Sequence, residues 1–220
     1  MRKLTGAVFQ SLDGVMQAPG GPEEDRRSDF RYGGWVKPLW GGDMGPFEDV
    51  IMGEYDLLLG KRTYDIFAAY WPYNQDDPIG AKFQRIDKYV LTHSDEPLEW
   101  DNSRKLTGDT AQAVSELKRS DGRDLLIQGS STLYPPLLSA RLIDRLMVMT
   151  FPVVLGHGKS IFDGSEKAGT LRLVDNFVSS SGVIVATYEP AGDVQTDTFE
   201  AKPPSEEELE RRTKIEEGSW

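Results

Sequence analysis

Two short segments combine glycine with hydroxyl and cationic side chains, a set that suits an anionic ligand. Residues 60–63 (GKRT) follow the apolar run 56–60, and residues 129–131 (GSS) follow a second apolar run, 124–128. Both segments are predicted to lie where a buried strand ends and a helix begins, and the N–H groups at a helix start bind anions. Taken singly, each segment is also typical of an ordinary strand-to-helix turn with solvated cations or a capping hydroxyl.

Two such segments in one sheet favour a single shared ligand. Ligands of open parallel sheets bind at the carboxyl ends of the strands, so both segments can address one dinucleotide. The sequence lacks the G-x-G-x-x-G pattern of the Rossmann fold after a strand. The nearest partial match, residues 156–158 (GHG), lies in a β-rich region where a turn is expected.

Composition argues against several other chemistries. The chain has no cysteine and only two histidines, His93 and His157, which excludes disulfides and thiolate ligands and argues against a zinc site. The net charge of −11 argues against a nucleic-acid surface, and no apolar run approaches the length of a membrane span. We expect a cytoplasmic protein with no metal, nucleic-acid or membrane partner.

The elements that must position the two segments alternate between strand and helix. The strand candidates are residues 3–11, 56–60, 88–92 and 124–128. The helix candidates are residues 46–52, 61–70, 110–118 and 130–140, the third of them capped by Asp109. Residues 146–155 and 171–188 are β-rich and include a candidate antiparallel pair. This alternation predicts an α/β fold with a mostly parallel sheet covered by helices on both faces.

Five motifs in order carry a resemblance to a known family. They are residues 11–15 (SLDGV), 58–64 (LLGKRTY), 90–92 (VLT), 127–131 (IQGSS) and 152–156 (PVVLG). They resemble the dihydrofolate reductase-like superfamily, specifically the branch of the reductase domain of bacterial riboflavin biosynthesis, over about residues 3–188. The resemblance implies a three-layer α/β/α fold with a mostly parallel central sheet and an antiparallel C-terminal part. The expected domain covers residues 1–190, followed by an acidic tail over 191–220.

The resemblance also implies an activity. It indicates an NADPH-dependent reductase that transfers a hydride to a small heterocyclic substrate, pyrimidine-like or pteridine-like, in a protein that can be a homodimer. The activity it resembles most is that of 5-amino-6-(5-phosphoribosylamino)uracil reductase. Dihydrofolate reduction is an alternative, and so is a non-catalytic nucleotide-binding protein on the same scaffold.

Residue roles follow from the same resemblance. The residues expected to bind the cofactor are Phe9, Ser11, Met16, Gly60, Lys61, Arg62, Thr63, Thr92, His93, Ser94, Gly129, Ser130, Ser131, Leu133 and Tyr134. A side chain at Gly129 is expected to intrude where the backbone meets the pyrophosphate. The candidate catalytic residues are Asp13, which flanks the nicotinamide in the family, and Asp43, which lies near the position of the acid of a true dihydrofolate reductase. Asp43 is also a candidate N-cap of the helix 46–52, and the preference of Asp for that position favours the cap over the acid.

Two segments allow more than one interpretation. The loop 17–42 is long, which is typical of a functional or a disordered segment. Its arginines can bind an anionic substrate, or its alternating charges can simply be solvated. Trp35, Trp40, Trp71 and Tyr73 form either an aromatic wall for a flat heterocycle or ordinary packing.

In the tail, residues 205–208 (SEEE) form a capping-box pattern, so the tail is either a solvated helix or disordered.

Overall fold

The computed structural model describes residues 1–41, 43–164, 167–199 and 202–219. Its strands are β1 (Leu4–Ser11), β2 (Asp56–Gly60), β3 (Lys88–Leu91), β4 (Ser103–Leu106), β5 (Leu125–Gln128), β6 (Arg145–Phe151), β7 (Leu171–Val178) and β8 (Ile184–Pro190). Its α-helices are α1 (Pro46–Met52), α2 (Lys61–Ala68), α3 (Pro78–Arg85), α4 (Thr110–Arg119), α5 (Tyr134–Ser139) and α6 (Glu206–Glu216).

The strands form one sheet in the order β4-β3-β2-β5-β1-β6-β8-β7. The six strands from β4 to β6 are parallel to their neighbours. The last two strands pair antiparallel, β6 with β8 and β8 with β7. The sheet is therefore mostly parallel with an antiparallel C-terminal part, as the sequence predicted.

Helices cover both faces of the parallel region. Leu59 of β2 faces an apolar cluster that includes Phe47 of α1, and Leu58 faces a second cluster that includes Val114 of α4 and Leu137 of α5. Because successive side chains of a strand point to opposite faces, strands buried on both faces need continuous apolar runs. This is why β2 and β5 are readable in the sequence as uninterrupted apolar segments.

Two elements were not predicted, and one prediction changes in detail. α3 begins at Pro78, and β4 is an edge strand that pairs only with β3 among the described strands. The predicted helix 130–140 is a 3₁₀ turn, Ser131–Leu133, followed by the short α5. The two prolines 135 and 136 lie in the first turn of α5, where a missing N–H group removes no helical hydrogen bond.

The tail contains a helix on the surface. The Ser205 hydroxyl accepts a hydrogen bond from the N–H of Glu208 at 3.3 Å, which caps α6, and no described residue of α6 is buried. The helical alternative is therefore the one observed for residues 206–216, while Trp220 lies outside the described residues. None of the helices in the described ranges has the length and apolar character needed to cross a membrane.

Candidate active site

A cavity of about 750 Å³ opens at the carboxyl ends of β2, β3 and β5. Its size is in the range of small-molecule sites. The residues just after these strands form one wall, so the two glycine-containing segments do face a common space. Phe9 of β1 and Met16 after it line the same cavity. The location agrees with the rule that ligands of parallel sheets bind at the carboxyl ends of the strands.

Most residues predicted to bind the cofactor line this cavity. They are Phe9, Met16, Gly60, Lys61, Arg62, Thr63, Thr92, His93, Gly129, Ser130, Ser131 and Leu133. The predicted residues that lie outside its lining are Ser11, Asp13, Asp43, Ser94 and Tyr134.

The two glycine-containing segments are hydrogen-bonded to each other. The backbone N–H of Ser130 donates to the Thr63 hydroxyl at 2.9 Å, and the backbone N–H of Gly60 donates to the Ser130 hydroxyl at 3.0 Å. Gly129 and Ser130 both have positive φ, +68° and +56°. The hydroxyls that were interpreted as caps or phosphate donors therefore fix the relative position of the two strand ends.

Gly129 is constrained for a different reason from the one expected. A Cβ atom built on Gly129 would lie 2.9 Å from Cγ2 of Thr63, closer than a normal contact. The added atom would therefore contact the Thr63 side chain, whose hydroxyl accepts a hydrogen bond from Ser130. This contact lies within the protein and is separate from the expected intrusion on a bound pyrophosphate. The positive φ adds backbone strain for any residue other than glycine.

The cations beside the cavity differ in their surroundings. The Lys61 ammonium pairs with Asp65 at 2.7 Å and with Glu96 at 3.3 Å. The hydrogen bond to Asp65, followed by that to Glu96, raises the pKa of Lys61. Arg62 is exposed and makes no ion pair or hydrogen bond with any residue the structure describes. Of the two predicted phosphate ligands, Arg62 is the one whose charge is not already neutralised.

The residues that follow β3 also contribute to the cavity wall. Thr92 is buried and its hydroxyl accepts the N–H of Ser94 at 3.0 Å, which forms a tight turn. His93 projects between them as an exposed side chain that lines the cavity. Ser94 is thereby committed to the turn and lies outside the lining.

Asp13 closes a turn. Its carboxylate accepts hydrogen bonds from the Ser11 hydroxyl at 2.5 Å and from the N–H of Gly156 at 2.7 Å. The Ser11 hydroxyl, together with the backbone N–H groups of Leu155 and Gly156, holds the pKa of the Asp13 carboxyl below its usual value. The geometry favours a structural role for Ser11 and Asp13, because an ionised, fully hydrogen-bonded carboxylate outside the cavity is unsuited to donate a proton.

Asp43 and Tyr134 also lie away from the cavity. Asp43 is exposed and accepts the N–H of Gly45 at 2.6 Å. The N-cap of α1 is Gly45, so Asp43 is neither a buried acid nor the N-cap, although it hydrogen-bonds the backbone just before the helix. Tyr134 is fully buried, and its hydroxyl lies 3.4 Å from the carbonyl oxygen of Ile127. Tyr134 belongs to the core beneath β5, where burial raises its pKa.

The loop after Met16 supplies cavity residues that the sequence did not single out. Gln17 is buried, and its amide donates to the carbonyl oxygens of Asp25 at 3.2 Å and Arg27 at 3.0 Å. These bonds bring Glu24 and Asp25 to the cavity wall, where Asp25 pairs with Lys159. The charged loop was interpreted as a binding segment or a solvated surface, and the structure shows that part of it lines the cavity.

One buried polar atom in the lining has no partner. Gln128 ends β5, and its Oε1 is buried without a hydrogen bond among the described residues. An orphaned buried acceptor is rare and costs free energy, so it indicates an absent hydrogen-bond donor. Gln128 was not among the predicted site residues, although a polar residue that ends an apolar strand directly before Gly129 is a signal that could have identified it.

The aromatic residues of the proposed wall are dispersed. Of the four, Trp71 lines the cavity. Trp35 is buried and donates its indole N–H to the carbonyl oxygen of Gln17, and Tyr73 is 82% exposed. Trp40 makes an edge-to-face contact with Phe9 and so packs against a cavity residue. Ordinary packing is the observed role of Trp35 and Trp40.

The fold and the position of the cavity define the class of protein. A dihydrofolate reductase from Enterococcus faecalis complexed with NADP(H) is similar at a TM-score of 0.53 and 15% identity, covering 86% of this chain and 96% of that one. The chain therefore has a dihydrofolate reductase-like fold. More narrowly, the model of the RibD C-terminal domain matches residues 2–185, so the chain belongs to this family of reductase domains.

Other similar proteins agree with this family. YyaP of Bacillus subtilis (strain 168), an uncharacterized protein, is 28% identical over 151 residues, which is 66% of this chain and 79% of YyaP. A structure from Shewanella sp. PV-4, described as a riboflavin biosynthesis protein, has a TM-score of 0.66 at 19% identity and covers 87% of this chain and 99% of that one. A deaminase/5-amino-6-(5-phosphoribosylamino)uracil reductase from Thermotoga maritima has a TM-score of 0.57 at 14% identity, over 86% of this chain and 57% of that one. The predicted family and fold are confirmed.

Proposed function

We propose that this chain is an NADPH-dependent reductase that transfers a hydride to a small heterocyclic substrate of the 5-amino-6-(5-phosphoribosylamino)uracil type. The observation that carries the proposal is the convergence of three strand ends on one cavity. Those ends offer glycine backbone at residues 60 and 129, the unpaired cation Arg62 and the unpartnered Gln128 amide.

These residues fit a phosphorylated dinucleotide. The backbone at Gly60 and Gly129 would hold the pyrophosphate, and Arg62 and His93 would face the additional phosphate that distinguishes NADPH from NADH. A charged donor gives phosphate a stronger hydrogen bond than a neutral one does. Phe9 and Met16 would flank the nicotinamide. When bound, the cofactor supplies the hydride, while the protein orients it and excludes water.

The pyrimidine-type substrate is supported by the family and by the name of the Thermotoga maritima relative. Dihydrofolate reduction is less well supported, because α1 presents no buried carboxylate in this chain. Glu48 and Asp49 on α1 are exposed, and so is Asp43 before it. The non-catalytic alternative is an outcome of the experiment below.

Calorimetry with NADPH and NADH, followed by cofactor oxidation with candidate substrates, tests the proposal. We expect NADPH to bind more tightly than NADH, and turnover with a phosphoribosylated diaminopyrimidine but not with dihydrofolate. Equal affinity for both cofactors would contradict the phosphate assignment. Tight NADPH binding without turnover of any aminopyrimidine or pteridine would favour the non-catalytic alternative.

The other features predicted from the sequence stay predictions. They are the division into a domain over residues 1–190 and a tail over 191–220, the cytoplasmic location, the homodimer and the absence of a nucleic-acid partner.

A further inference from the structure

One carboxyl group on the cavity wall has a geometry that its sequence neighbours lack. Glu24 is half-buried and lines the cavity, whereas the adjacent Glu23 is exposed, pairs with Arg26 and does not line it. Glu24 lies in the segment that the Gln17 amide holds in place, after the carboxyl end of β1. This segment forms the wall on the side of Met16, where the proposed nicotinamide end lies.

The two oxygen atoms of Glu24 are in different environments. Oε2 accepts the backbone N–H groups of Gly20 at 2.6 Å and Gly21 at 3.2 Å, which fixes the carboxyl in place. Oε1 has no hydrogen-bond partner among the described residues, although Glu24 is a cavity residue. A cavity carboxyl that is fixed through one oxygen, while the other makes no hydrogen bond within the described residues, is arranged to act on a ligand.

The electrostatic surroundings favour the protonated form. Burial, with a smaller contribution from neighbouring Asp25, raises the pKa of Glu24 above its ordinary 4.5 despite the two N–H donors. The other ionisable residues in the described part of the lining are Asp25, Lys61, Arg62, Asp65, His93 and Lys159. Lys159 is paired with Asp25, and Lys61 with Asp65. Both lysines of the lining are therefore paired with carboxylates other than Glu24.

We propose that Glu24 is the proton donor of this site, an inference that rests on the proposed function. The carbon of a substrate C=N bond accepts the hydride from the reduced nicotinamide, and the π electrons of that bond pass to the nitrogen. The nitrogen then takes the proton from the Glu24 carboxyl, which becomes a carboxylate and is reprotonated by water. The substrate gains one C–H and one N–H bond, and the nicotinamide is oxidised by two electrons. Positioned general acids of this kind contribute about 10²–10⁴-fold to a rate.

Glu24→Gln tests the role, because the amide oxygen can still accept the N–H groups of Gly20 and Gly21 but cannot supply the proton. We expect kcat to fall by about 10²–10⁴-fold with NADPH affinity by calorimetry unchanged. In the wild type kcat should fall as pH rises through the pKa of Glu24, and the variant should lose this limb. Glu23→Gln is the matched control and should behave as the wild type.

A titration that needs no substrate completes the test. In protein with ¹³C-labelled glutamate carboxyl groups, the resonance that Glu24→Gln removes should titrate above 4.5. A midpoint at or below that value overturns the proposal, as does a Glu24→Gln enzyme with wild-type kcat. Failure of the wild type to bind NADPH would instead remove the proposed function, and this inference with it.

Discussion

Lys61 and Arg62 are neighbours in sequence, but only one of them has a free charge. Lys61 is held by Asp65 and Glu96, whereas Arg62 points to solvent beside the cavity without a partner in the described ranges. A phosphate that binds Lys61 must compete with two carboxylates. A phosphate that binds Arg62 gains a charge-assisted hydrogen bond without breaking an existing one.

We therefore expect Arg62→Ala to weaken NADPH binding by about 1.5–3 kcal/mol, and Lys61→Ala to weaken it less. NADH binding should change less than NADPH binding in the Arg62 variant. Calorimetry checks both values. Arg85→Ala removes an exposed arginine on α3, away from the cavity, and should leave affinity unchanged. Similar losses for Arg62→Ala and Arg85→Ala would show that only the net charge matters.

Lys88 is a buried ammonium group far from the proposed chemistry. It is completely inaccessible, and its Nζ donates to the carbonyl oxygens of Phe83 at 2.5 Å and Ile86 at 2.9 Å. It also lies 4.3 Å from the centre of the Trp100 ring. Loss of hydration on burial lowers the pKa of Lys88 from 10.5 to about 8.

This pKa shift predicts a pH dependence of stability. Between pH 8 and 10.5 the unfolded chain binds a proton at Lys88 that the folded chain has released, so the free energy of unfolding should rise with pH. The slope is at most about 1.4 kcal/mol per pH unit. Urea unfolding of wild type and Lys88→Met across this window isolates the effect, because other titrating groups are common to both. A constant difference between the two proteins would contradict the shift.

At the scale of elements, the two strand-end turns are the feature on which the cavity depends. The hydrogen bonds from Ser130 to Thr63 and from Gly60 to Ser130 connect the ends of β2 and β5. The two glycines in these turns are not equivalent. Gly129 has φ of +68° and a close approach to Thr63, whereas Gly60 has φ of −79°, and a Cβ added there would make ordinary contacts, the nearest at 3.8 Å from the Ser130 hydroxyl.

Gly129→Ala should lower the free energy of unfolding by about 1–2 kcal/mol from the left-handed backbone alone, and further because Thr63 must move. It should also weaken NADPH binding, since Ser130 would shift. Gly60→Ala is the control for stability and should change the free energy of unfolding by less than about 1 kcal/mol. Thermal unfolding of both variants makes the comparison. Equal stability of the two variants would contradict both the backbone strain and the cost of the Thr63 contact.

The elements differ in how far the sequence could predict them. The bounds of β2 could be predicted from an apolar run, and those of α1 from a short segment of helical composition. β4 was missed because an edge strand with exposed Arg104 and Lys105 has no apolar pattern, and only its pairing with β3 makes it a strand. α3 was missed because Gly80 weakens the helical signal. The structure explains this glycine, since a Cβ there would lie 2.1 Å from the carbonyl oxygen of Asn74.

The residues of the candidate site also differ in how far the sequence could predict them. Residues 60–63 and 129–131 could be predicted because local glycine and hydroxyl patterns mark strand ends. Glu24 and Asp25 could not, because they lie next to arginines in a charged segment, as solvated residues do. Their place in the wall depends on Gln17 and on the pairing of Asp25 with Lys159, 134 residues later. Contacts of that separation leave no local signal.

At the scale of the whole molecule, the hydrogen bonds and ion pair that attach the described part of the tail to the domain involve the first residues of the tail. The N–H of Thr170 donates to Gly192 at 2.9 Å, and Arg141 pairs with Asp193. Beyond them α6 buries none of its described residues. The attached part of the tail therefore extends past the expected boundary at residue 190.

Truncation after Val194 should keep these contacts and leave NADPH affinity unchanged, with unfolding free energy within about 1 kcal/mol of wild type, as for surface changes. Calorimetry and urea unfolding test this. Truncation after Ala191, which removes Gly192 and Asp193, is the informative comparison and should be less stable. Loss of NADPH binding in a folded protein truncated after Val194 would mean that the tail helps form the cavity.

The central position of β1 in the sheet affects how the chain folds while it is being synthesised. The N–H groups of Lys3 and Leu4 donate to the side chains of Asp124 and Asp144, 121 and 140 residues later, and β1 pairs with β5 and β6. β2, β3 and β4 can pair while the ribosome is still making the rest. The first strand must wait until the fifth has left the exit tunnel before it has one neighbour, and until the sixth before it has both, with an apolar segment exposed in the meantime. Late closure of long-range pairs slows folding and exposes the nascent chain to aggregation, so this protein should gain yield from slower translation or from a chaperone that holds its amino terminus.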